Sequence, residues 1–261
     1  MQFLKRDGVA LAYQDNESDL PPILFVHGWG MDHTSFAAQE EYFRSTHRVI
    51  SVDLRGHGQS DAPQQDYTMP DFADDLVWLS RQLSLVKPIV VGHSMGGNVS
   101  LELAARYPEL PAAIVMIDSV FQPSQLILDA LAPLAEVLGG LQYREAYRQI
   151  FLSVCLHTDD EALKTHLTTY FPQAPQHVLL SAFRNHVTDY DAGPAASRCH
   201  LPVAYIGAAN PLGDAVKFKA LAPHLITAQT LGSGHFSPLL VPDQINAMLS
   251  RFIALHSGKS M

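Results

Sequence analysis

Short apolar runs, each the length of a strand buried on both faces, recur along the chain. They are Pro22-Ile23-Leu24-Phe25-Val26, Val49-Ile50-Ser51-Val52, Ile89-Val90-Val91, Ala113-Ile114-Val115-Met116-Ile117 and Val203-Ala204-Tyr205-Ile206. Between them the period changes to that of a helix. Phe72, Leu76, Leu79 and Leu83 fall at helical spacing, and Thr68-Met69-Pro70-Asp71 just ahead of them resembles a capping box. Strands alternating with helices need crossover connections, so the pattern predicts a mostly parallel central sheet flanked by helices. Ahead of the first run, two strand-like stretches between Phe3 and Tyr13 meet at Asp7-Gly8, a hairpin signal.

The rhythm breaks between Ser119 and Ser197. No buried-strand pattern occurs there, and amphipathic helical stretches take its place. Ile127, Leu131, Leu134 and Leu138 form one, Tyr143, Tyr147 and Ile150 another, and the segments Asp159 to Tyr170 and Gln176 to Val187 read as helical too. Such a block is too long for a plain crossover. It predicts a helical cap inserted at 120–197 into a core domain formed by 1–119 and 198–261. Tyr143, Tyr147, Phe151, Tyr170 and Phe171 would line a pocket beneath that cap or form its own small core. The Ser257–Met261 end is expected to fray.

Composition narrows the function classes. With 47% hydrophobic and 16% charged residues in 261, the chain is an ordinary globular protein. A formal charge of −9 and no Lys/Arg cluster argue against a nucleic-acid partner, which needs a concentrated basic face. The first residues, Met1 to Asp7, lack the apolar stretch of a signal peptide, and no apolar run is long enough to span a bilayer. The expectation is a cytoplasmic protein with no membrane span, its oligomeric state left open. Cys155 and Cys199 are too few for a disulfide framework and are expected to be reduced thiols. No metal-ligand spacing or glycine-rich phosphate loop occurs.

The strongest chemical signal is Gly92-His93-Ser94-Met95-Gly96, between the run Ile89–Val91 and a helix-competent segment, Asn98 to Tyr107. A strand–turn–helix of this kind forces Ser94 into a strained conformation at a helix N-terminus, where free N–H groups favour developing negative charge. A nucleophilic serine needs a base, and 13 histidines compete for that role. His27, His57 and His93 sit inside local motifs and read as structural. His33, His47, His157, His166, His177, His186, His200, His224 and His256 lack a catalytic context and are expected to be exposed or partly buried. His235 follows the strand-like Ala228–Leu231 and lies in the glycine-flanked loop Gly232-Ser233-Gly234-His235-Phe236, before the last helical segment. That placement makes it the candidate base.

Four motifs in order make the chain similar to the α/β-hydrolase superfamily over nearly its whole length. They are His27-Gly28-Trp29-Gly30, Asp53-Leu54-Arg55-Gly56-His57-Gly58-Gln59-Ser60, the Ser94 elbow and the His235 loop. The resemblance implies an oxyanion hole made by the backbone amides of Trp29 and Met95, with no metal or organic cofactor. It also exposes a departure. Relatives place an acid after the strand corresponding to Pro202–Ala208, whereas here that position holds Asn210. Asp118, at the end of Ala113–Ile117, is the preferred third member, because some family members carry the acid there. Asp214 is the alternative, although Pro211-Leu212-Gly213 ahead of it also makes it a helix N-cap.

The resemblance implies a carboxylesterase-like serine hydrolase acting on a small or medium ester through an acyl-enzyme. A lactone, thioester or C–C bond is the alternative within that mechanism. A cofactor-free ring-cleaving dioxygenase is the alternative of another class, because Gly28-Trp29-Gly30-Met31-Asp32-His33 together with Asp118 is similar to those enzymes as well.

Overall fold

The computed structural model describes residues 1–170 and 173–256; Phe171, the Tyr170 side chain and 257–261 lie outside the described residues. Strands β1 (Gln2–Arg6) and β2 (Val9–Asp15) pair antiparallel through the two-residue loop Asp7-Gly8, whose φ angles of 51° and 87° are those of a primed hairpin turn. Four further strands match the apolar runs nearly residue for residue: β3 (Pro22–Val26), β4 (Arg48–Val52), β5 (Ile89–His93) and β6 (Ala113–Ile117). With β7 (Val203–Gly207) and β8 (Ile226–Gln229) they complete an eight-stranded sheet of order β1-β2-β4-β3-β5-β6-β7-β8. From β4 to β8 all neighbours pair parallel.

Alternate residues of the central strands feed two cores. Ile23, Phe25, Val91, Val115 and Ile117 face α1 (Ala37–Phe43) and α11 (Pro242–His256), with Phe43, Leu249 and Phe252 packed against them. Leu24, Val26, Val90, Ile114 and Met116 join the opposite core, which includes Leu76 of α2 (Met69–Gln82) and Val99 of α3 (Met95–Arg106). Helix α2 begins at the Thr68 cap, whose hydroxyl accepts from the Asp71 amide.

Four helices, α4 (Gln125–Leu138), α5 (Tyr143–Ser153), α6 (Glu161–Tyr170) and α7 (Gln176–Phe183), lie between β6 and β7 where helical periodicity was expected. No strand interrupts them among the described residues. Helix α7 runs on into a π-helical turn, Arg184–Thr188, and a short α8 (Gly193–Arg198) leads back to the sheet. After β7 come α9 (Ala215–Leu221) and, past β8, α10 (Ser237–Leu240). Two boundaries differ from expectation. Helix α3 starts at Met95 rather than Asn98, because the low-propensity Gly96-Gly97 hides its first turn. Strand β8 ends at Gln229; as an edge strand its mostly exposed residues carry little pattern. No described helix is long and apolar enough to cross a membrane.

The sheet order fixes where a crevice is expected. From β3 the chain moves to β4 on one side and then returns to β5 on the other, so the connections diverge between β3 and β5. A crevice opens outside the C-terminal ends of strands at such a switch point. The His27-Gly28-Trp29-Gly30 segment follows β3 and the Ser94 turn follows β5.

Candidate active site

Ser94 is held at φ 53°, ψ −119°, a conformation that costs a non-glycine residue about 1–3 kcal/mol and persists only when its surroundings impose it. They do so here. The Ser94 amide donates to Ile117 O at 2.8 Å, and a Cβ on Gly92 would overlap the Gly96 backbone. A Cβ on Gly96 would in turn overlap the carbonyls of Val26 and His27, so the elbow is pressed directly onto the end of β3. Gly28 lies alongside; a Cβ there would come within 3.1 Å of Ser94 Cβ. Trp29 and Ser94 therefore meet at one cavity, and Met95 opens α3 beside them.

His235 lines the same cavity. Its Nδ1 lies 2.7 Å from Asp118 Oδ2, the two side chains being buried. A carboxylate oxygen only accepts, so Nδ1 carries the proton and Nε2 is left as the basic nitrogen. Asp118 follows β6 at φ 43° and is held on its other oxygen by the amides of Ala208 and Leu212 at 3.0 and 3.3 Å. Asp214 is occupied elsewhere: its carboxylate accepts from the Val216 and Lys217 amides as the N-cap of α9. Asn210 is exposed on the loop after β7.

The loop of His235 is clamped from two sides. From the sheet, His93 Nε2 donates to the His235 carbonyl at 2.9 Å, and the two rings lie tilted against each other with centroids 4.7 Å apart. From the helical block, the His235 amide donates to Val154 O at 3.1 Å, and the Gly234 amide to buried Asp159 at 3.1 Å. The Asp159 carboxylate also accepts from the Leu156 amide of its own turn at 2.7 Å. A side chain at 234 would overlap this carboxylate, which gives Gly234 a packing reason. The block grips the other loop too. Trp29 Nε1 donates to Leu179 O at 2.9 Å, its ring packs on Tyr147, Phe151 and Phe183, and Tyr147 Oη donates to Gly30 O.

Of the aromatics named from sequence, Phe151 lines the cavity, Tyr147 packs behind Trp29 and Tyr143 is half-buried. Two histidines expected to be exposed or only partly buried are buried instead. His33 donates from Nδ1 to Asp53 at 2.7 Å. His186, in the π-turn, lines the cavity. Sequence carried one signal for it: His186 lies three residues after Phe183 and seven after Leu179, on the buried face of the same helical stretch. Nothing local marked Asp159, whose partner lies 75 positions away.

Burial governs the charge of these imidazoles. Burial, and then the neighbouring His27, pushes His57 down to about 3. Burial, helped by His235, does the same to His186. His93 is driven well below its ordinary value, chiefly by burial. Burial opposes charge on His33 as well, but its bond to Asp53 outweighs that and raises it. For His57 and His186 the unfolded chain takes up protons below about pH 6.5 while the folded chain does not, so stability is full above that pH and falls toward pH 3. At about pH 4.5 each is expected to cost roughly 2–3 kcal/mol; His33, with its raised value, opposes this in part. Urea unfolding at about pH 7.5 and about pH 4.5 measures the net loss. An unchanged midpoint would mean that these rings are open to solvent.

A family model described as the alpha/beta hydrolase fold matches residues 21–196. The chain is 34% identical over 155 residues to a 2-(acetamidomethylene)succinate hydrolase of Mesorhizobium japonicum, a stretch covering 59% of this chain and 50% of that protein. It is 35% identical over 120 residues to a bifunctional esterase/perhydrolase of Acinetobacter calcoaceticus, covering 45% and 44%. The matched stretch thus spans about half the length of these curated relatives. Its fold superposes on the crystal structure of the enol-lactonase from Burkholderia xenovorans with a TM-score of 0.86 at 19% identity, covering 97% of this chain and 100% of that one. With the family model spanning the four central strands β3 to β6 and the Ser94 elbow on its predicted strand–turn–helix, the chain belongs to the α/β-hydrolase fold family.

Proposed function

We propose that this chain is a serine hydrolase cleaving a carboxylic ester of a small, uncharged and largely apolar substrate. The observation that carries the reading is the 2.7 Å bond between Asp118 and His235, in a cavity that Ser94 and Trp29 also line. Ser94 Oγ attacks the ester carbonyl carbon while His235 Nε2 takes its proton. The oxyanion is stabilised by the amides of Met95 and Trp29. The tetrahedral intermediate then expels the alcohol, which receives the proton from His235. A water molecule, deprotonated by the same nitrogen, attacks the acyl-enzyme; the acid leaves and Ser94 recovers its proton. In this reading 120–197 is a cap, and 1–119 with 198–261 is the core that carries the chemistry.

The character of the substrate follows from the walls. The cavity is small, about 50 Å³, and apolar side chains such as Met31, Leu131, Ile150 and Phe183 form most of it. No Lys or Arg is among its described lining residues. A carboxylate buried there would be unpaired, which is costly, so a dicarboxylate of the kind named for the Mesorhizobium relative does not suit this site. Treatment with a fluorophosphonate is expected to place one adduct on Ser94. Aryl acetate and butyrate are expected to turn over faster than long-chain or anionic esters. Absence of an adduct at Ser94 would overturn the acyl-enzyme reading.

A further inference from the structure

Three polar side chains with unspent hydrogen-bonding capacity meet the cavity among its described lining residues: Ser94, His235 and His186. Trp29 is not a fourth, because its indole N–H is committed to Leu179 O. The first two have a role in the proposed reaction, and His186 has none. Its Nε2 is fully buried and has no hydrogen-bond partner, a costly state for an imidazole, which offers one donor and one acceptor when neutral. The backbone beneath it is unusual too. The π-turn Arg184–Thr188 departs from the α-helical register of α7, and such turns recur at functional sites. Phe183, Val187 and Leu212, which line the same cavity, add only apolar side chains to it.

We propose that His186 is a specificity-determining residue, whose ring hydrogen-bonds a second, uncharged polar group on the substrate: a hydroxyl, ketone or amide. The preferred ester is then apolar apart from the scissile group and this one oxygen or nitrogen function. Neutrality of the ring fits such a partner, since burial and the neighbouring His235 hold it uncharged at any ordinary pH. An anionic substituent would meet neither a charged imidazole nor a Lys or Arg. The inference rests on the ester-hydrolase reading of Ser94 and adds a recognition element to it.

The test compares phenyl butyrate with phenyl β-hydroxybutyrate, phenyl acetoacetate and catechol monobutyrate, which carry the polar group on the acyl or the alcohol side, and with anionic phenyl hemisuccinate. The protein is expected to prefer at least one of the neutral oxygenated esters to phenyl butyrate by about tenfold in kcat/KM. His186→Leu should bring that ratio to near one, and His186→Gln, which keeps a donor and an acceptor, should retain part of it. No preference in the unaltered protein, a preference for the hemisuccinate, or an equal loss on all esters in His186→Leu would each overturn the proposal. Binding of the same compounds to Ser94→Ala, read by tryptophan fluorescence because Trp29 lines the cavity, gives the ranking without turnover. The same ranking there with no ester hydrolysed would keep His186 as the recognition element and overturn the reading of Ser94 instead.

Discussion

Asp118→Asn is expected to lower kcat on an aryl ester by about ten-thousand-fold while leaving the fold in place. The reason lies in what each carboxylate oxygen does. Oδ1 accepts from the amides of Ala208 and Leu212, and the asparagine carbonyl takes over that duty. Nδ2 then faces His235 in place of Oδ2, and as a donor it requires Nδ1 to accept. The imidazole proton moves to Nε2, so the nitrogen needed as base becomes a donor. Asp214→Asn should change kcat by less than about twofold, because asparagine caps a helix as well as aspartate does. The pair of variants, assayed together with urea midpoints, decides the assignment. A damaging Asp214→Asn beside a mild Asp118→Asn would move the acid to position 214.

The second large effect separates two reaction classes. Ser94→Ala is expected to reduce ester turnover by about a millionfold, to the residue that binding and oxyanion donors supply alone. Alanine is no worse than serine at φ 53°, and the Ser94 amide keeps its bond to Ile117 O, so the elbow survives the substitution. A ring-cleaving dioxygenase would respond otherwise. Its chemistry rests on deprotonation by the His235–Asp118 pair, which Ser94→Ala leaves intact. Oxygen uptake with hydroxyquinolones, present before and after Ser94→Ala, would favour that class; its absence together with loss of esterase activity supports the acyl-enzyme.

What the sequence discloses and what it conceals divide along a physical line. The buried strands, the Asp7-Gly8 hairpin and the Ser94 elbow are local: a few adjacent residues fix their backbone, so β3 and β6 match the apolar runs end to end. The His235 loop is legible for a similar reason. Asp118 is different, since 117 positions separate it from His235 and only resemblance to relatives singled it out. Asp159 and His186 were missed. One works across the seam between the helical block and the His235 loop, and the other reads as an exposed or partly buried residue without catalytic context, whereas it is buried and lines the cavity. The π-turn was concealed because it continues the amphipathic stretch of α7 without a break in composition.

That seam ties the helical block to both loops of the candidate site. The 154–159 turn holds both Gly234 and His235 by their amides, while the same block holds Trp29 through Leu179 and Gly30 through Tyr147. Any outward swing of the block large enough to admit a ligand breaks these bonds or drags both loops with it. In the reaction proposed above, this interlock would couple any such swing of the block to the backbone that carries both the His235 loop and the Trp29 loop.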